Sequence, residues 1–118
     1  MCVSMDSNLE IDFERAKELA KAGNNFFVLA NDSNNLELVR EVLGVEGAVH
    51  GVDMEETKQI LFGEDAKKLL EKRGEAFRDA VIVCPHGRTS LRFANLLSEM
   101  GIRAYSLKGG IEGLKGRA

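Results

Sequence analysis

Two apolar runs, Phe26-Phe27-Val28-Leu29-Ala30 and Ala80-Val81-Ile82-Val83, constrain this chain more than anything else in it. Neither alternates with polar residues, so a strand formed from either must be covered on both faces. The stretches between such runs carry the helical period that can supply the cover. Leu9-Glu10-Ile11 reads as a short strand and Asp12 as a helix cap, its carboxylate accepting free first-turn amides. Phe13, Ala16, Leu19 and Ala20 recur at helical spacing, and Gly23 ends that helix. Asn31 to Asn35 is turn chemistry, and a helix over about 36–43 stops at Gly44. Gly47 to Val52 reads as a second buried strand. Asp53 with Glu56 has capping-box spacing and starts a helix reaching Leu61. Ala66, Leu69 and Leu70 carry a further Lys-rich helix that ends at Gly74.

Beyond the second apolar run the spacing predicts a helix from Ser90 to Met100, with Phe93, Ala94, Leu97 and Met100 inward. Gly101 closes it, Ala104-Tyr105-Ser106-Leu107 is a strand, and Gly109-Gly110 opens a last short helix. Strands alternating with helices through short connections specify an α/β fold: a central parallel sheet with helices on both faces. Residues 1–8 read as a flexible tail, and 9–118 as a single domain of ordinary size.

Charge and cysteine usage exclude several functions. The formal net charge of −3 lacks the basic excess of a general nucleic-acid binder. No apolar run approaches the roughly 20 residues of a membrane span, and MCVSMDSNLE has neither the basic nor the apolar region of a secretory signal. No nucleic-acid or membrane partner is therefore expected. The two cysteines, Cys2 and Cys84, make no disulfide framework and no zinc spacing, so no metal and no cofactor is expected, and a reducing, cytoplasmic setting is the simpler reading. Cys2 reads as an incidental tail residue.

Cys84 is different. It ends a buried strand and opens the run Cys84-Pro85-His86-Gly87-Arg88-Thr89-Ser90, which leads into a helix. In parallel sheets, ligands bind beyond the carboxyl ends of the strands. The free amides and dipole of a helix start favour an anion there. A thiolate is an anion, so Cys84 is expected to be a nucleophile near neutral pH. Gly87 can take positive φ, Arg88 adds a fixed rim charge suited to an oxyanion, and Thr89 and Ser90 can donate hydroxyls to the sulfur or cap the next helix. A purely packing role for Cys84 explains neither Gly87 nor the polar residues around it. His86 lies within the loop as a candidate proton shuttle. His50, inside an apolar run, reads as a structural histidine. The basic residues Lys67, Lys68, Lys72 and Arg73 read as a solvated helix face.

Two stretches, Val81 to Ser90 and Ala104-Tyr105-Ser106-Leu107-Lys108-Gly109-Gly110-Ile111-Glu112-Gly113-Leu114, resemble the rhodanese (sulfurtransferase) family. The family loop Cys-x-x-Gly-x-Thr/Ser/Arg is met by Cys84 to Thr89, and the downstream Gly-Gly-Ile-x-Gly pattern by 109–113. Val45-Glu46-Gly47-Ala48-Val49 is similar to a third family stretch. The resemblance implies a rhodanese-like three-layer fold with about five strands. It implies a cysteine that takes sulfane sulfur from a small anionic donor such as thiosulfate, holds it as a persulfide, and passes it to a thiol or cyanide. A ring of amides from residues 85 to 89 would stabilise that persulfide, with Arg88 attracting the donor and Lys108 a candidate rim charge.

The chain departs from the pattern in two places. Leu114 stands where the family usually has Trp, and Leu29-Ala30-Asn31-Asp32-Ser33 lacks the family's Asp-x-Arg. The second departure keeps open a sulfur-relay carrier fed by a protein partner; a binding module is the other alternative, though such modules usually lack the cysteine that is present here as Cys84. Cysteine phosphatases of similar fold use Cys-x5-Arg, but six residues after Cys84 stands Ser90.

Overall fold

The computed structural model describes residues 9–29, 33–62, 68 and 75–117. Strands β1 (Glu10–Ile11), β2 (Phe26–Val28), β3 (Val49–Gly51), β4 (Val81–Val83) and β5 (Tyr105–Leu107) form one sheet. Their order across it is β1-β5-β4-β2-β3, with every neighbouring pair parallel. The helices are α1 (Phe13–Lys21), α2 (Ser33–Leu43), α3 (Met54–Phe62), α4 (Arg88–Glu99) and α5 (Gly110–Lys115).

The two uninterrupted apolar runs lie side by side as β2 and β4, with Phe26 opposite Val81 and Val28 opposite Val83. Successive side chains point to opposite faces, so each run feeds two cores. Phe26, Val28, Val81 and Val83 pack with Leu19, Val39, Leu43 and Leu114 from α1, α2 and α5. Phe27, Ile82 and Cys84 pack on the other face with Phe77 and with Phe93 and Leu97 of α4. The division follows from connectivity. The chain moves in one direction across the sheet through α1 and α2, then turns back from β3 to β4 and β5 through α3 and α4. Parallel crossovers keep one hand, so reversing direction moves the helices to the opposite face. The reversal leaves a crevice beyond the carboxyl ends of the central strands β2 and β4, which is where Cys84 stands. No helix among the described residues is long and apolar enough to cross a membrane.

Local signals set the boundaries. Asp12 is extended and its Oδ1 accepts the Arg15 amide at 2.9 Å, starting α1 as its sequence position predicts. Asp12→Ala should cost about 1 kcal/mol of stability; a urea midpoint unchanged from the parent would refute the cap. Asp53 Oδ1 likewise accepts the Glu56 amide at 2.7 Å ahead of α3. At the opposite end of the sheet from Cys84, Asp79 joins three elements. Its carbonyl accepts from Asn24 Nδ2 at 2.7 Å, its amide donates to the Arg103 carbonyl at 2.6 Å, and its Oδ1 accepts from Arg103 Nε at 2.7 Å. That last hydrogen bond is the main reason Arg103 holds its proton more tightly than an ordinary guanidinium.

Some sequence expectations need correcting. The stretch 47–52 is not a buried central strand: β3 is the sheet edge, with His50 and Gly51 exposed. His50 stacks on Phe27 with ring centroids 4.9 Å apart. Helix α2 begins at Ser33, inside the expected turn. Helix α4 begins at Arg88 rather than Ser90, because Gly87 itself takes the cap position. The Lys-rich helix expected before Gly74, and the tail 1–8, lie outside the described residues, apart from the exposed Lys68.

Candidate functional site

The loop after β4 is held by the last helix. The carbonyls of Cys84 and Pro85 accept the amides of Ile111 and Glu112, at 2.9 and 3.0 Å. These are first-turn amides of α5, which have no partner within their own helix. The two motifs singled out in the sequence are thus one body: Gly-Gly-Ile-Glu supplies donors that clamp the start of the cysteine loop. Close approach is what the glycines allow. Gly109 and Gly110 have φ of +80° and +56°, and a Cβ on Gly110 would collide with the Cys84 carbonyl oxygen. Gly87 has φ +89°, and a Cβ there would come within 2.9 Å of the Gly109 nitrogen.

The clamp aims the loop at sulfur. Cys84 is 1% exposed, in contact with the core on the α4 side. Its Sγ accepts the Gly87 amide at 3.0 Å and the Ser90 amide at 3.3 Å. Pro85 has no N–H to give, so a complete ring of amides over 85–89 does not form around Sγ. The amides that reach it come from the cap of α4 and from its first turn, where the helix dipole also favours negative charge. The thiol in turn donates to Ser90 Oγ at 3.2 Å. Ser90 Oγ lies 2.7 Å from Ser106 Oγ, and Ser106 Oγ donates to the Gly87 carbonyl at 3.4 Å. Both serines are fully buried. Ser106 did not stand out in the sequence. The signal was there: it is a short hydroxyl between Tyr105 and Leu107 in a strand of a covered sheet, and a buried hydroxyl requires a partner.

On the solvent side the loop floors a cavity of about 790 Å³, within the usual range of roughly 300–1,000 Å³ for small-molecule sites. His86, Arg88, Thr89 and Lys108 line it, and Pro85 is exposed beside them. Lys58 of α3 and Arg92 of α4 add two more cations, and Glu10 is the one carboxylate among the described residues of the lining. A chain with a net charge of −3 therefore surrounds this opening with positive charge. A focused field of this kind raises the local concentration of anions. The structure brings the sequence-predicted site residues together: Cys84 and Ser90 beneath the loop, His86, Gly87, Arg88, Thr89 and Lys108 facing the cavity, and Pro85 exposed on the loop outside its lining.

This arrangement can hold an anionic sulfur against amide donors and draw a compact anion toward it. A family model of the rhodanese-like domain matches residues 39–117. No curated protein and no solved structure matches the chain. The matched segment runs from within α2 to just past α5 and includes the cysteine loop with its glycine clamp. On that match the chain belongs to the rhodanese-like domain family.

Proposed function

We propose that the protein is a sulfurtransferase that carries sulfane sulfur as a persulfide on Cys84. The observation that supports this most directly is the pair of amides, Gly87 and Ser90, converging on a buried Sγ at a helix start. The Cys84 thiolate attacks the outer sulfur of a donor such as thiosulfate. The new Sγ–S bond forms as the S–S bond of the donor breaks, and sulfite leaves with the electron pair. An acceptor thiolate or cyanide then attacks the outer sulfur, and Sγ leaves as thiolate. Amides fixed before the reaction stabilise that charge without rearranging. Phosphoryl transfer fits poorly: Ser90 stands at the position where a cysteine phosphatase needs an arginine to clamp the phosphoryl oxygens.

The test is intact mass after incubation with thiosulfate. A gain of one sulfur atom, removed again by cyanide, supports the reading; no gain with any persulfide donor overturns it. Arg88 is exposed at the cavity rim. Arg88→Ala should raise the KM for thiosulfate about 2- to 5-fold, the scale of an exposed charge pair, with kcat little changed. The effect should shrink in high salt. An unchanged KM would remove Arg88 from donor binding.

A second reading is favoured by the cavity itself. It extends past the loop to Leu61 and Lys58 of α3 and to Leu91 and Arg92 of α4, farther than a compact dianion reaches. A larger anionic donor, such as an acidic protein presenting a persulfide, would occupy that extension. Loading of Cys84 by a protein persulfide but not by thiosulfate would select this relay role.

A further inference from the structure

The buried side of Cys84 holds a feature that sulfur transfer through the loop amides does not use. Three side chains and a carbonyl form an unbroken line: Cys84 Sγ, Ser90 Oγ, Ser106 Oγ and the Gly87 carbonyl, at 3.2, 2.7 and 3.4 Å. None of these side chains is more than 1% exposed, so water does not compete for the bonds. Each hydroxyl has one proton, and the line can run in two directions. When sulfur carries its proton, Cys84 donates to Ser90, Ser90 to Ser106, and Ser106 to the Gly87 carbonyl. When sulfur is a thiolate it can only accept. Ser90 must then turn its proton toward Sγ, which leaves Ser90 Oγ free to accept from Ser106. The bond given up is the longest one, to Gly87. Either serine oxygen can be the donor in the central 2.7 Å bond, so no heavy atom moves.

We propose that Ser106 is a positioning residue for Cys84: it lets the Ser90 hydroxyl reverse and follow the charge on sulfur. This rests on the reading of Cys84 as the sulfur carrier, where Sγ is an anion both when it attacks the donor and when it leaves on release to the acceptor. Ser90 touches the reacting sulfur; Ser106 reaches it through Ser90, and its other bond goes to the Gly87 carbonyl. Without Ser106, a Ser90 proton turned toward Sγ leaves the Ser90 oxygen buried with no donor of its own. A buried polar atom left unpaired carries a free-energy cost, and here that cost falls on the thiolate state.

Among the described residues, the charged and titratable groups near the loop are His86, Arg88, Lys108, Lys58 on α3, Arg92 on α4 and Glu10 on β1. All line the cavity, on the solvent side. They are unaltered in serine variants, so their influence cancels when variants are compared.

The experiment measures alkylation of Cys84 by iodoacetamide from pH 5 to 10, read on the Cys84 peptide by mass spectrometry. It needs no sulfur donor, so it can succeed or fail independently of the sulfurtransferase reading. Ser90→Ala should slow alkylation at neutral pH roughly 10-fold or more, and Ser106→Ala about 3- to 10-fold. Both deficits should close as the pH rises and sulfur ionises regardless. In the Ser90→Ala background, adding Ser106→Ala should change the rate by less than about 1.5-fold, because the route through the Ser90 hydroxyl is gone and only the long bond to the Gly87 carbonyl remains. Equal effects in both backgrounds, or none in either, would overturn the proposal. A measurement on the unaltered protein guards against misfolding of the variants. The Ser106 ¹³Cβ resonance should follow the same pH profile as Cys84 alkylation, although no bond joins Ser106 to sulfur. A Ser106 resonance that does not move with pH would also overturn it.

Discussion

Cys84→Ser protein incubated with thiosulfate is expected to keep its unmodified mass, while the parent gains one sulfur atom that cyanide removes. The rate of transfer should fall by at least roughly 10³-fold, as when a nucleophile is removed outright. Folding should survive. Serine is slightly smaller, and its hydroxyl can accept the same Gly87 and Ser90 amides that now reach Sγ. A stability loss of about 1 kcal/mol is expected, the net value of a perturbed buried hydrogen bond. Measuring the urea midpoint beside the mass separates the two effects. A variant that folds and still gains a cyanide-labile sulfur would show that the sulfur resides elsewhere.

The second large effect concerns a residue that carries no chemistry. Gly110→Ala places a Cβ against the carbonyl of Cys84 and within 2.8 Å of the Gly87 nitrogen, at a φ of +56°. Left-handed backbone alone costs an alanine about 1–2 kcal/mol. The collision adds to this, because the loop and the start of α5 cannot both stay in place, and the total should reach about 3 kcal/mol or more. Displacing the loop also moves the amides off sulfur, so transfer should drop by roughly 10²-fold in whatever folds. Gly101→Ala is the matched control. Its φ is +80°, but nothing lies within 4 Å of the added carbon, so it should cost only the conformational part and spare activity. Equal denaturation midpoints for the two variants would mean that the clamp is looser than its geometry indicates.

Such contrasts show which features a single sequence can carry. The paired strands β2 and β4 were legible because their residues are apolar without interruption, a pattern that only double cover explains. Asp12 and Gly23 were legible because caps are local. Cys84 and Gly87 were legible because a thiol, a glycine and a hydroxyl pair have no packing reason to stand together. The edge position of β3 was not. The residues Ala48-Val49-His50-Gly51-Val52 look like those of a covered strand, but whether a strand is covered depends on its neighbours in space. Ser106 was missed for a related reason. Its partner Ser90 is sixteen residues earlier, and only the parallel pairing of β4 with β5 brings the two together. The start of α4 was misplaced because a serine is the usual cap, whereas here Gly87 takes that place with no side-chain bond at all.

The position of β1 has a consequence for how the chain assembles. β1 pairs with β5, Glu10 opposite Ser106 and Ile11 opposite Leu107, and the Lys108 amide reaches back to the Ile11 carbonyl at 2.9 Å. The cation-lined opening therefore includes Glu10 from one end of the sequence and Lys108 from the other. At ribosomal rates of about 5–20 residues per second, β1 waits on the order of 5–20 s after its synthesis for the strand it will join. During that time β2 and β3 can pair, since they need only the short crossover through α2, while pairing across nearly the whole chain carries the largest loop-closure entropy. Among the described strands β1 is made earliest, yet it is expected to pair only after β5, the one made latest, has emerged.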